Sequence, residues 1–279
     1  MPELPEVETV RKTLHQLALG KEIKSVSIYW ENIIKHPRDP EEFQHLLQGQ
    51  TIRDINRKGK FLIFQLDDIA LVSHLRMEGK FGVYDSHEEK PAHTHVIFHF
   101  TDGTELRYND VRKFGTMHAF PKGEEAVNKP LIQLGPDPFD EAFTLNYFHQ
   151  KLKKTKRNMK AVLLDQSIVA GLGNIYVDEA LFRAGVHPER IANTLTLEEA
   201  ERIRNASIRV ILEAIEQGGT TIRSYLNSQG EIGMFQQKLL VYGKQDTNCV
   251  NCGTPITKMK VSGRGTHICP QCQPLHTHG

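Results

Sequence analysis

The chain has 279 residues, of which 39% are hydrophobic and 25% charged, and a net charge of +1. This is the balance of a soluble globular protein of roughly one to three domains, and it does not by itself announce a nucleic-acid binder. No apolar run approaches the roughly 20 residues that span a bilayer. The first residues also lack the basic start and apolar core of a signal peptide, which leaves a cytoplasmic protein with no membrane partner as the expectation.

PEVETVRKTLHQLALG (5–20) is predicted as a helix. Val7, Val10, Leu14 and Leu17 recur at helical spacing, Pro5 suits the first turn and Gly20 the stop. Strand signals follow. KFLIFQL (60–66) is an apolar run with aromatics. In HVIFHFTDGTELRY, Val96, Phe98 and Phe100 alternate ahead of Asp102-Gly103, which predicts a hairpin closed by a two-residue turn. KFGVYD (80–85) and FGTMHAF (114–120) read as further strands. The first half is therefore expected to be mainly β, with one N-terminal helix.

NKPLIQLGPDPF (128–139), with Pro130, Gly135, Pro136 and Pro138, is the linker candidate. Beyond it the pattern turns helical, in TLNYFHQKLKK (144–154), NMKAVLLDQS (158–167), YVDEALFRAG (176–185) and the long segment 196–219. The last opens with Thr196 and Glu199 at capping-box spacing and stops at Gly218-Gly219. TTIRSYLNSQGEIGMFQQ (220–237) reads as a mobile loop. KLKKTKRNMK (151–160) carries six basic residues and no acid. Its plain reading is a solvated helix face, and its sharper one a polyanion contact.

All four cysteines fall in Cys249-x2-Cys252-x16-Cys269-x2-Cys272. Each CxxC sets two sulfurs on one side of a tight turn, and two such knuckles complete a tetrahedron of thiolates around zinc. With four protein ligands no coordination position stays open, so the zinc is expected to be structural. Metal binding of about 10–16 kcal/mol in small finger peptides shows how one ion holds a module too small to fold alone. The segment between the knuckles suits a hairpin with Arg264, between Gly263 and Gly265, at its tip. That arginine is read equally as a solvated residue and as a finger for phosphate or a reacting group.

The glycines of AGLGNIYVDE (170–179), with Asn174, precede a helix, where backbone N–H groups can hold a phosphate. A helix corner needs such glycines as well. The opening, MPELPEVETV, has two readings too. Pro-Glu is a tolerable helix lead-in, and that is the first reading of the stretch alone. The second is chemical. With Met1 removed, Pro2 presents a secondary amine; α-amino groups have a reference pKa of about 7.7–8.0, far below that of lysine, so more of it is unprotonated near neutrality. Such an amine can attack a sugar C1′ and form an iminium, while Glu3 shuttles protons.

Taken together, MPELPEVETV, RKGKFL, HLRMEGK, DVRKFG, AGLGNIYVDEALFRAGVHP and the four-cysteine finger resemble bacterial formamidopyrimidine-DNA glycosylase, from residue 2 to about Gln273. The resemblance implies an α+β multidomain protein: an N-terminal helix plus β-sandwich domain (1–130), a linker (131–140), a helix–two-turn–helix domain with a lesion-capping loop (141–235, the loop at 219–237) and a zinc finger (236–279). DNA is implied to lie across the cleft between domains. It further implies a base-excision-repair enzyme that excises oxidised purines, 8-oxoguanine and formamidopyrimidines, from damaged duplex DNA. The same enzyme then cuts the backbone by β,δ-elimination.

Carried over residue by residue, Pro2 is the Schiff-base nucleophile and Glu3 the acid/base beside it. Lys60 serves β-elimination, with Lys58 as the neighbour if the register slips, and Arg264 serves δ-elimination. Met77, Arg112 and Phe114 resemble the residues that enter the duplex when the nucleotide is extruded. His93, Lys156, Asn174 and Lys258 resemble backbone contacts, and Cys249, Cys252, Cys269 and Cys272 hold one structural zinc. A monomer in the bacterial cytoplasm, drawn to the nucleoid through DNA, is implied. The competing readings are the sister enzyme endonuclease VIII, a non-enzymatic zinc-ribbon DNA binder and a structural subunit. Leu4, the PEVE continuation, Met77 and Phe114 favour the formamidopyrimidine branch.

Overall fold

The computed structural model describes residues 1–220 and 233–275. The tail from 276 and residues 221–232, most of the segment expected as the lesion-capping loop, lie outside the described residues. The chain divides into two compact units, Met1–Gln133 with Gly218–Gly233, and Leu134–Gln217 with Met234–Gly279.

The first unit opens with α1 (Leu4–Ala18), which starts at a reciprocal capping box between Glu3 and Glu6 and buries Val7, Val10, Leu14 and Ala18 along one stripe. Then come β1 (Ile23–Ile28), β2 (Ile34–His36), α2 (Pro40–Leu47), β3 (Asp54–Lys58), β4 (Phe61–Gln65), β5 (Ile69–His74), β6 (Lys80–Asp85), β7 (Thr94–Phe100), β8 (Thr104–Asn109) and β9 (Thr116–Pro121). They form a four-stranded sheet of order β1-β7-β8-β6 and a five-stranded sheet of order β2-β9-β5-β4-β3. Phe64 of one sheet meets Phe81 of the other edge to face, with ring centroids 5.4 Å apart. Leu62, Leu71, Phe98 and Leu106 fill the core around them. The expected β-sandwich is present.

Two expectations need correction here. The unit holds a second α-helix: Asp39 accepts the Glu41 N–H at 3.0 Å, Pro40 occupies the first turn, and Phe43 and Leu47 are buried. Cap, proline and apolar spacing were all in the sequence. The β7–β8 connection is also longer than a two-residue turn. It runs over residues 101–103, with Gly103 N donating to Phe100 O and Gly103 at φ +85°. The positive φ at the third position absorbs the extra residue as a bulge, a common three-residue hairpin.

The second unit contains α3 (Leu145–Lys153), α4 (Met159–Leu164), α5 (Asn174–Ala184), α6 (Leu197–Glu216), β10 (Thr257–Val261) and β11 (Arg264–Ile268). Thr144, Asn158 and Thr196 cap α3, α4 and α6 with their side chains, and Thr196 and Glu199 complete the expected capping box. α5 is buried almost all round and packs against α4, α6 and β11. The basic stretch 151–160 is not uniformly a solvated face. Lys160 is fully buried in α4 and ion-paired to the buried Asp178 of α5. Lys153 donates to the carbonyls of Asn193 and Leu195 at 3.0 and 2.9 Å.

Candidate active site and metal centre

The chain start is held, not frayed. Pro2 is buried, Glu3 is only 2% exposed, and Met1 ahead of them is 49% exposed. Glu3 sits at the N-cap of α1 in extended conformation. Its N–H donates to Glu6 Oε2 at 2.9 Å, and its carbonyl accepts from Val7 N at 3.0 Å. The other oxygen of Glu6 accepts the Thr220 N–H at 2.8 Å and its hydroxyl at 3.2 Å. Glu6 therefore ties the helix start to the first residue of the segment at 220. No role was expected for it, although Glu3-x-x-Glu6 has the spacing of a capping box.

Lys60 lies in the two-residue turn between Lys58 and Phe61, which pair as the last residues of the β3–β4 ladder. It is 5% exposed. An ion-pair chain links this turn to α1. Glu8 accepts from Arg11 at 2.8 Å and from Arg57 at 3.0 Å, and Arg57 donates to the Gly59 carbonyl at 2.9 Å. Burial raises the Glu8 carboxyl, but the hydrogen bond and charge of Arg11, together with Arg57, outweigh it and hold it below its ordinary value. His74, at the end of β5, packs edge-on against Phe61 at 4.5 Å. Burial first, then the positive charges of Arg76 and Lys60, push its pKa down to about 3. The ring is thus neutral near pH 7, and its Nδ1 accepts the Arg76 N–H at 2.9 Å.

The residues expected to enter the duplex stand on two adjoining loops of this unit. Met77 is half-buried after β5, while Arg112 and Phe114 are exposed between β8 and β9. Arg112 Nε lies 3.4 Å from Oε1 of Glu78, the neighbour of Met77. His93 is exposed at φ +62°, and its carbonyl accepts the Asp110 N–H at the base of the second loop.

In the second unit the finger tip is clamped. β10 and β11 are joined by Ser262-Gly263, and Arg264, the first residue of β11, pairs with Val261 and is exposed. Asn158 Nδ2 donates to Ser262 Oγ at 3.0 Å, and Asn174 Nδ2 donates to the Gly265 carbonyl at 2.9 Å. Asp178 accepts the His267 N–H at 2.9 Å while paired with Lys160. Asn174 therefore holds the tip that carries Arg264, and it is the first residue of α5, not one ahead of it. Lys156 and Lys258 are exposed. Ahead of the first cysteine knuckle, buried Glu179 accepts the N–H groups of Leu240, Val241 and Tyr242 at 2.9–3.1 Å.

The four cysteine sulfurs lie within 4.8 Å of one another. Cys249 Sγ to Cys272 Sγ is 3.9 Å and Cys252 Sγ to Cys269 Sγ is 3.4 Å. Zn–S bonds of about 2.3 Å in a tetrahedron set sulfurs about 3.8 Å apart, so the donor set fits one zinc. Knuckle N–H groups of Asn251 and Cys272 point at Cys249 and Cys269 sulfurs at 3.4 Å, as suits thiolates. Behind them Phe182, Val241 and Ile256 make a small apolar core, which the metal supplements.

A two-sheet unit opening on a buried Pro-Glu, a helical unit and a four-thiolate finger define a class of three-part zinc-finger proteins. Residues 1–117 match the family model described as Formamidopyrimidine-DNA glycosylase N-terminal domain, 134–225 the Formamidopyrimidine-DNA glycosylase H2TH domain, and 249–275 the Zinc finger found in FPG and IleRS. The formamidopyrimidine-DNA glycosylase of Bacillus licheniformis is 60% identical over 98% of this chain and 99% of its own length. That of Bacillus subtilis is 60% identical with the same coverage. A Lactococcus lactis FPG mutant in complex with Fapy-dG containing DNA superposes with a TM-score of 0.92, at 41% identity over 98% of this chain and 100% of that one. The Lactococcus lactis Fpg complex with abasic-site DNA gives 0.91 at 41% identity, with the same coverage. The chain belongs to the formamidopyrimidine-DNA glycosylase family.

Proposed function

We propose that this chain excises 8-oxoguanine and formamidopyrimidines from duplex DNA and then cuts the strand at the resulting abasic site, with Pro2 as nucleophile. Base-excision glycosylase activity and lyase activity are the family's chemistry, and relatives in the family have been solved on Fapy-dG and abasic DNA. The observation that carries the residue assignment is the buried, hydrogen-bonded Pro2-Glu3 start. A chain end serves as a reagent only if it is held in place.

The reaction begins once Met1 is removed. The Pro2 nitrogen attacks C1′ and gives up its proton, the C1′–N bond to the base breaks, and the base leaves with a proton that Glu3 helps to deliver. The C1′–O4′ bond then opens, O4′ taking up the proton that the amine lost, and an iminium stands at C1′. The iminium so formed draws electrons from the sugar and makes the C2′ hydrogen acidic. Loss of that proton expels the 3′ oxygen, the step assigned to Lys60. A second elimination expels the 5′ oxygen, assigned to Arg264, and water then releases the sugar fragment and regenerates the amine.

Met77 and Phe114 replace the stacking lost when the nucleotide leaves the duplex, and Arg112 reads the orphaned partner base. His93, Lys156, Asn174 and Lys258 meet the backbone. We divide the chain as 1–130, 131–140, 141–235 and 236–279. Among the described residues no helix is long and apolar enough to cross a membrane, and we place the protein as a monomer in the bacterial cytoplasm. Duplexes carrying 8-oxoguanine or an oxidised pyrimidine test the reading. Preferred nicking of the first, leaving phosphate at both ends of the gap, supports it. Preferred nicking of the second assigns the chain to the endonuclease VIII type of specificity.

A further inference from the structure

The motif DVRKFG contributes more than Arg112 and Phe114. Its aspartate, Asp110, is 1% exposed at the base of the β8–β9 loop. Asp110 Oδ1 accepts the Arg112 N–H at 3.1 Å. Asp110 Oδ2 accepts the N–H groups of Phe114 at 3.0 Å and Gly115 at 2.8 Å, and the Tyr108 hydroxyl at 3.3 Å. Its own main chain is held as well: Asp110 N donates to His93 O at 3.0 Å, and its carbonyl lies 2.7 Å from His95 Nε2.

The loop outside this carboxylate is exposed. Val111 is 60% and Phe114 56% exposed, and Lys113 stands at φ +59° with its ammonium 4.1 Å from the ring of Trp30, the chain's single tryptophan. The Tyr108 hydroxyl also occupies the space a Cβ would need at both Gly79 and Gly115. It thereby packs the Met77 loop against the Phe114 loop.

A short loop with an exposed tip and few apolar contacts would ordinarily sample many conformers. Pushing side chains between base pairs with a mobile loop would add the cost of ordering it to that of unstacking. A buried carboxylate that collects the loop's amides removes that cost in advance, because hydrogen bonds to an ionised acceptor are the strong ones.

We propose that Asp110 is the positioning residue of the duplex-entering loop: it sets the backbone of Arg112 and Phe114 before DNA arrives and so controls extrusion of the damaged nucleotide. This rests on the reading that Arg112 and Phe114 enter the duplex, and Asp110 itself touches no reacting atom.

Asp110→Asn is the informative change. It keeps shape and one acceptor oxygen but turns an amide NH2 towards backbone N–H donors. The variant, Phe114→Ala and the unaltered protein are compared in three assays. These are single-turnover excision of 8-oxoguanine from duplex, strand cleavage at an abasic site in single-stranded DNA, and Trp30 emission. Duplex excision by Asp110→Asn is expected to fall roughly ten- to a hundredfold, the scale of an ångström-level misplacement. Single-strand cleavage, which needs no extrusion, should stay within about twofold. Trp30 emission should shift as Lys113 leaves the ring.

Unchanged duplex excision by Asp110→Asn, with Phe114→Ala impaired, overturns the proposal and leaves the loop reading standing. Unchanged excision by both overturns the loop reading itself. An equal loss on duplex and single strand makes Asp110 a general structural residue and also overturns the proposal. Should Asp110→Asn not fold, Tyr108→Phe removes one of its donors alone. It should show the same split between substrates on a smaller scale, and no split overturns the proposal.

Discussion

Glu8 is held between two guanidiniums, Arg11 and Arg57, and His74 lies buried near Arg76 and Lys60. Both make the first unit sensitive to acid, in different windows. His74 protonates at about 3 when folded against 6.5 when exposed, so between those values the unfolded chain binds a proton that the folded one refuses. Stability is lost from His74 as pH falls below 6.5. Glu8 has a folded value below its ordinary 4.5, so its contribution is present above that pH and lost as pH falls through the folded value. Urea midpoints against pH should show both losses. His74→Gln should flatten the upper part of the curve and Glu8→Gln the lower. Two variant curves parallel to the original would contradict the assignment. The other residue-scale case is Lys160. Nothing in KLKKTKRNMK separates it from its neighbours except its place in α4, where it faces α5 and Asp178. Lys160→Met leaves a buried carboxylate without its cation and should cost about 3–5 kcal/mol in chemical denaturation, the scale for breaking a buried pair. An exposed lysine would give under about 1 kcal/mol.

At the scale of elements, α1, α6 and the finger hairpin were legible because each carries its own period and stop. The capping box of α6 and the CxxC pairs needed no tertiary information. β1, β2, β3 and β5 were not read. β5 is apolar throughout Ile69–Leu71 and on to Val72, with no alternation to mark it, because both its faces are buried. The short β1 and β2 show polar residues on exposed faces. Helix α2 was missed although Asp39 and Pro40 announced it. Of the candidate site, the four cysteines stood out by their spacing alone, whereas the opening proline, whose stretch reads first as a helix lead-in, was singled out through the family resemblance. Among the residues that hold backbone, Asp178 and Glu179 could not be found from the chain alone, since their partners lie elsewhere in the fold; Glu6 and Asp110 hold near neighbours in sequence, at spacings the chain did carry. The finger supplies a prediction at this scale. Asn158, Asn174 and Asp178 clamp the hairpin from one side and the thiolates close it from the other. Chelating the zinc should therefore weaken DNA binding first, because the metal organises Arg264 and Lys258 and takes no part in bond making. Unchanged DNA affinity in metal-free protein would contradict this.

On the scale of the whole molecule, a net charge of +1 conceals a polyanion-binding design, because Lys156, Lys258 and Arg264 are exposed while acids such as Glu3, Glu6, Asp178 and Glu179 are buried. The central claim is that the chain end is the nucleophile. It is tested most directly by borohydride trapping on duplex DNA with 8-oxoguanine opposite cytosine. The account requires a covalent protein–DNA complex whose cross-link maps to Pro2, and no complex from protein that retains Met1. Full activity and trapping with Met1 in place, or a cross-link at Lys60, would contradict it.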